Sequence, residues 1–147
     1  MADFSHTVAV AASRAALWAR VRDVRWVAGL FPYVAIEDFL EAAPDRWRYR
    51  RRLRIPTLAE LRWEEEALLE GEGLLAFRAL AGDLETFHGR WQVDGDAAAA
   101  QLTLSIHYLI PDGIGPAVPE FVAYGVMNQV FATICARVKE AVEGGQA

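Results

Sequence analysis

The chain has 147 residues, 15 Lys and Arg against 20 Asp and Glu for a net charge of −5, and a hydrophobic fraction of 54%. That length is expected to form one domain over residues 1–147, with a core that needs no disulfide staples. The acidic balance argues against a dedicated nucleic-acid binder, the lone Cys135 excludes an internal disulfide or a cysteine zinc site, and no stretch reaches the ~18 uncharged apolar residues of a membrane span.

In chain order, "FSHTVAV" alternates and reads as a strand. Ser13 then caps a helix over "RAALWARVRDV", with Leu17, Val21 and Val24 on one face. In "RWVAGLFPYV", Gly29 and Pro32 divide a short second helix from the next strand. Strands follow in "YVAIEDFLE", "RWRYRRRLRI", "LAELRWEEEALLE", "LLAFRAL", "ETFHGRWQV" and "QLTLSIHYLI". The turns between them are too short for helical crossovers, so the sheet is expected to be antiparallel. "PDGIGPAVP" at 111–119 reads as a loop. The last element is the longest helix, with Tyr124, Met127, Phe131, Ile134 and Val138 at +3/+4 spacing and Gly144-Gly145 after it. The order β-α-α-β6-α predicts an α+β fold: a curved antiparallel sheet of about seven strands around a long C-terminal helix.

Four features in this order resemble the START-like superfamily with the helix-grip fold, in its polyketide cyclase-like and coenzyme-Q-binding branch. They are the opening "VAVAASRAALWARVRDV" with Leu17-Trp18 and Asp23, "LFPYV" at 30–34, "HGRWQV" at 88–93, and a final helix after a Pro/Gly loop. The resemblance covers nearly the whole chain, and it rests on order and spacing more than on any one motif. It implies a cavity for a lipid, quinone, polyketide or similar molecule between the sheet and the last helix, and it does not imply a reaction.

"RWRYRRRLRI" holds six arginines in ten residues. Strand parity puts Arg46, Arg48, Arg50, Arg52 and Arg54 on one face. Trp47, Tyr49, Arg51, Leu53 and Ile55 share the other, which is apolar but for Arg51. The next strand divides into Leu61, Trp63, Glu65, Ala67 and Leu69 against Glu60, Arg62, Glu64, Glu66 and Leu68. A turn centred near Leu58 sets Arg51 opposite Glu65, Leu53 opposite Trp63 and Tyr49 opposite Ala67, with Arg52–Glu64 and Arg50–Glu66 outside. A one-residue shift sets Arg51 opposite Trp63 and leaves the two charges diagonal. With the turn centred near Leu58 the outer arginines face acidic neighbours, so no phosphate-binding stripe is expected. Arg51 and Glu65 read either as a buried pair fixing register or as a polar anchor in the cavity.

The expected ligand-binding residues on the sheet side are Phe31, Tyr49, Arg51, Trp63, Glu65, Phe77, Phe87, Trp91 and Tyr108. On the last helix they are Tyr124, Met127, Asn128 and Phe131. Asn128 reads equally as a solvated helix edge or a hydrogen bond into the cavity. His88 and His107 have the parity of the solvent face, and His6 lies in phase with Val8 and Val10. Cys135 reads as a small buried hydrophobe. No metal or cofactor is expected.

The leading expectation is a carrier or sequestering protein for a hydrophobic small molecule entering past the 111–119 loop. The alternative is an aromatase/cyclase or dehydratase using Arg51, Tyr49, Glu65 and Tyr108. A third reading is a protein-interaction helper of the same fold. The opening lacks the basic-then-apolar pattern of a signal peptide, and with the single cysteine this points to a cytoplasmic protein without stable membrane insertion. Oligomeric state is not legible.

Overall fold

The computed structural model describes residues 2–55, 59–111 and 120–145. Its elements are β1 (Ala2–Val10), α1 (Arg14–Val21), α2 (Val24–Ala28), β2 (Val34–Ala42), β3 (Arg46–Ile55), β4 (Ala59–Gly71), β5 (Leu74–Gly82), β6 (Phe87–Gly95), β7 (Ala100–Tyr108) and α3 (Glu120–Glu143). The strands form one sheet in the order β1-β7-β6-β5-β4-β3-β2, with every neighbouring pair antiparallel. The α+β order expected from the sequence is the one observed. β1 and β2 lie at opposite edges, so α1 and α2 carry the chain from one edge to the other. α3 packs chiefly against β1 and β7.

The helix expected over residues 14–24 is two helices. Ser13 caps α1, its hydroxyl accepting from the Ala16 N–H at 3.1 Å. Asp23 leaves the helical conformation, and its Oδ1 accepts from the N–H groups of Arg25 and Trp26 at 3.1 and 3.2 Å. The short carboxylate offers these N–H groups a partner that a continuous helix would have supplied from its own backbone. Leu17, Val21 and Val24 are still all buried.

Parity within the sheet is as read. Tyr49 and Leu53 on β3, Leu61, Trp63 and Ala67 on β4, and Leu102, Leu104, Ile106 and Tyr108 on β7 are all buried. At Gly89 on β6 a Cβ would stand 2.1 Å from the Ser105 carbonyl oxygen and 2.9 Å from the Phe77 ring. Glycine there lets β6 and β7 approach closely while Phe77 crosses the concave face.

By length and composition alone α3 is apolar enough to cross a membrane, although its uncharged run, residues 121–136, stays below the ~18 residues of a span. In the fold it is the core helix, with Met127, Val130, Phe131, Ile134, Cys135, Val138 and Ala141 buried. A helix seated in a concave sheet needs a wider apolar surface than the usual single stripe. Burial pushes the Cys135 thiol up to about 12.

The outer face of β3 is paired, one step away from the expected register. Arg46 meets Glu66 at 3.9 Å, Arg48 meets Glu64 at 4.0 Å and Arg52 meets Glu60 at 3.6 Å. Arg50 turns instead to Asp38 on β2 at 3.1 Å. Arg52 stands opposite Arg62, and Glu60 reaches both, at 3.1 Å from Arg62.

The C-terminal end of α3 is tied to the end of β1. Lys139 Nζ donates to the Ala9 carbonyl at 2.7 Å and to Glu143 Oε2 at 2.6 Å, and the same oxygen accepts from the Ala11 N–H at 2.8 Å. These bonds, Lys139 first and Ala11 second, hold the Glu143 carboxyl below the usual carboxylate range. A carboxyl with a lowered folded-state pKa stabilises the protein above its unfolded pKa, and loses that contribution as pH falls through the folded one. Glu143→Gln is therefore expected to lower the melting temperature at neutral pH. Thermal melts of the two proteins should converge once pH lies below the lowered pKa.

Candidate functional site

Between the sheet and the helices lies a cleft of about 740 Å³ counted out to its mouth, of which about 60 Å³ is open to the centre of a water molecule. Val24, Val27 and Ala28 of α2 with Phe31 form one wall, and Phe131 and Ile134 of α3 form another. The floor is Tyr49, Arg51 and Leu53 of β3, Trp63, Glu65 and Ala67 of β4, and apolar residues of β5, β6 and β7, among them Phe77, Phe87 and Trp91.

Glu65 is the one buried charged residue among those described, at 1% exposure. Its position follows from the β3–β4 register: Tyr49 opposite Glu65, Arg51 opposite Trp63, Leu53 opposite Leu61. The turn centre is one residue earlier than the expected Leu58, so the diagonal arrangement of the two charges is the one realised. Residues 56–58 lie outside the described residues, and the reason for the shift is legible in the ladder itself. The expected register would have set the Tyr49 phenol beside Ala67; the observed one brings it to a carboxylate that it can satisfy.

The Tyr49 hydroxyl donates to Glu65 Oε2, and the Trp63 indole N–H donates to Glu65 Oε1 at 3.1 Å. Arg51 Nε lies 3.5 Å from Glu65 Oε2, and the Arg51 side chain is 17% exposed. Its guanidinium stands 5.2 Å from the Tyr49 ring centre. Burial, then the Glu65 charge, drives the Tyr49 phenol well above its ordinary pKa, so it stays protonated. For Arg51, burial opposes the charge, while Glu65 and Tyr49 favour it and prevail. Arg51 Nε has no hydrogen-bond partner among the described residues. The cluster is thus a carboxylate with both oxygens engaged beside a guanidinium that is not.

Of the residues singled out from sequence, Phe31, Tyr49, Arg51, Trp63, Glu65, Phe77, Phe87, Trp91 and Phe131 meet around the cleft. Tyr108, Tyr124, Met127 and Asn128 do not line it. Met127 is buried in the core, and Tyr108, Tyr124 and Asn128 form a separate polar tie in the N-terminal part of α3. There the Tyr108 hydroxyl donates to Asn128 Oδ1 at 2.6 Å, and the Tyr124 hydroxyl accepts from the Ile110 N–H at 3.1 Å. The first turns of α3 meet the end of β7 through Tyr108, while Phe131 and Ile134 further along line the cleft. Val24, Val27 and Ala28 were not singled out as lining residues. Their +3/+4 spacing in "VRWVA" was the available signal. His88 and His107 sit on the outer face with ring centres 5.1 Å apart, and His107 Nδ1 lies 2.5 Å from Asp3. Among the described residues no three His, Cys, Asp or Glu side chains gather as a metal site would require. The 111–119 loop expected at the entrance lies, but for Pro111, outside the described residues.

No family model and no curated protein matches the sequence. Solved structures match its fold along nearly the whole length. The TTHA0849 protein from Thermus thermophilus is 15% identical over 99% of this chain and 100% of its own, with a TM-score of 0.82. The Zhui aromatase/cyclase from Streptomyces sp. R1128 is 22% identical over 98% of this chain and 92% of its own, at 0.75. A START superfamily protein from Mycobacterium smegmatis is 16% identical over 97% of both chains, at 0.72. The chain has the START-like helix-grip fold. At these identities the likeness is one of fold, and the resemblance read from element order stands at that level.

Glu65→Gln is expected to destabilise the protein by about 3 kcal/mol, the lower end for breaking a buried ion pair because Arg51 keeps some solvent. In an Arg51→Met background the same substitution should cost less, since no cation is then stranded. Urea denaturation of the four proteins measures the coupling.

Proposed function

We propose that the cleft binds a hydrophobic small molecule carrying a neutral carbonyl-type oxygen, which Arg51 holds. The carrying observation is the unequal hydrogen bonding within the cluster. Glu65 is occupied at both oxygens by Tyr49 and Trp63. Arg51 Nε lacks a hydrogen-bond partner among the described residues and keeps only an ion contact at 3.5 Å. The polar part of the cleft therefore offers donors, and the complementary ligand group is an acceptor. Arg51 and Glu65 already balance each other in charge, so a ligand carboxylate would add an uncompensated buried anion; a ketone, quinone or ester oxygen would not.

The rest of the lining is aliphatic and aromatic, which suits a quinone, polyketide or lipid. The room open to water, about 60 Å³, is far below the ~300–1,000 Å³ of sites for drug-sized ligands. On this reading the ligand enters by displacing lining side chains, and the protein is a carrier or sequestering protein. A cytoplasmic location belongs to the same reading, supported by one buried thiol that burial keeps protonated. The arginines of β3 are met by Glu60, Glu64, Glu66 and Asp38, which supports a small-molecule partner over a nucleic acid.

With 2-methyl-1,4-naphthoquinone as probe, Arg51→Met is expected to weaken binding by about 10- to 100-fold, the value of one hydrogen bond to a charged donor. The variant also leaves the buried Glu65 carboxylate without its cation, so its melting temperature should fall, and affinity is compared at a temperature where circular dichroism shows both proteins folded. Affinity equal to the wild type would refute the anchor. A second reading, ring closure or dehydration of a poly-β-ketone substrate, is favoured by the direct Tyr49–Glu65 contact. A phenol donating to a carboxylate beside a guanidinium can relay a proton at the ligand carbonyl. Tyr49→Phe would then abolish turnover while retaining binding; turnover at the wild-type rate would exclude Tyr49 from that role.

A further inference from the structure

Five of the six arginines of β3 meet carboxylates, Arg54 alone having no ion pair among the described residues, whereas the arginines of the α1–α2 stretch meet none. From Arg14 to Ala28 the chain carries Arg14, Arg20, Arg22 and Arg25 against the single carboxylate of Asp23, in a protein whose net charge is −5. Among the described residues no ion pair involves Arg20, Arg22 or Arg25. Two of these heads are held by aromatic faces, which fix position without cancelling charge. The Arg25 guanidinium lies 3.9 Å from the Phe39 ring centre, and that of Arg20 lies 5.8 Å from Trp26.

These charges border a concavity. An open groove is lined by Ala19, Arg22, Asp23, Val24, Arg25 and Trp47, with the Asp23 carboxylate engaged by the N–H groups of α2. Val24 also lines the cleft on its other side, so one valine of a five-residue helix stands between a basic groove and an apolar cavity. The hydrogen bonds of α2 are local: Asp23 to its first N–H groups, then Gly29 and Leu30 back to Arg25 and Val27. That partition can shift without breaking a bond to the sheet.

We propose that this groove binds the phosphate head of an amphipathic ligand whose apolar part enters the cleft past Val24. A phosphate monoester has three terminal oxygens, enough for the guanidinium forks of both Arg22 and Arg25. Trp47 gives the first methylene groups an apolar surface. The assignment rests on the cleft being a ligand site, and it adds the chemical class of the head and the side from which the ligand arrives.

The test compares octyl phosphate with octanol by isothermal titration, in the wild type and in Arg22→Gln/Arg25→Gln. Circular dichroism melts confirm that the variant is folded. The wild type should prefer octyl phosphate by at least about tenfold, as charge-assisted hydrogen bonds require. The double variant should lose that preference and bind octanol as before. Octanol binding with no phosphate preference, or a preference that survives in the variant, overturns the groove alone. Failure of both amphiphiles to bind while 2-methyl-1,4-naphthoquinone still binds overturns the groove alone; failure of the quinone as well overturns the cleft reading with it. Inorganic phosphate should compete only weakly, because it lacks the apolar part; competition equal to that of octyl phosphate would overturn the link to the cleft. Co-sedimentation with phosphatidate vesicles, abolished in the variant, would assign the head to a membrane lipid. The monomer preference without vesicle binding would assign it to a soluble ester.

Discussion

The Glu65 carboxylate is the constraint around which the site is arranged. Taking an anion to 1% exposure costs several kcal/mol unless its oxygens are met. Here a phenol, an indole and a guanidinium meet them from two adjacent strands. That requirement sets the β3–β4 register, keeps Tyr49 protonated and turned toward Glu65, and holds Arg51 charged at the edge of an otherwise apolar cleft. A slip of one residue would turn Glu65 to the solvent face and strand Arg51.

Most of the fold was readable because both periodicities are strong here. Alternation in "RWRYRRRLRI" sorted Arg51 from the five outer arginines, and the +3/+4 stripe of α3 placed Met127, Phe131, Ile134 and Val138 in the core. Register was not readable from alternation, since both pairings keep Arg51 and Glu65 on the inner face, and only the fit of the Tyr49 phenol to the Glu65 carboxylate separates them. The break at Asp23 was missed for a related reason: capping is a competition between side chain and backbone, and composition does not decide it. Apolar pattern also could not separate a cavity wall from a helix tie. Tyr124 and Asn128 belong to the same helical face as residues of the wall, and what divides them is that the first turns of α3 meet Tyr108 and Ile110.

The charges teach a similar lesson. Counted along the chain, β3 is the basic element and α1–α2 is unremarkable. Counted in space, β3 is met by carboxylates from β2 and β4, and the unmatched positive charge lies on the helices. Local density of arginine is thus a poor guide to electrostatic field, because a sheet brings three strands to bear on each other and a helix face has fewer neighbours.

α3 is carried like a beam on two supports. Lys139 and Glu143 fasten one end to β1, while Tyr108 and Ile110 fasten the other through Asn128 and Tyr124. Over ~1.5 Å of rise per residue the supports are about 16 Å apart, from Asn128 to Lys139. Phe131 and Ile134 hang between them on apolar contacts. Their seating over the sheet is thus fixed from both sides, whereas the hydrogen bonds of α2 close within its own turn and the residues just after it.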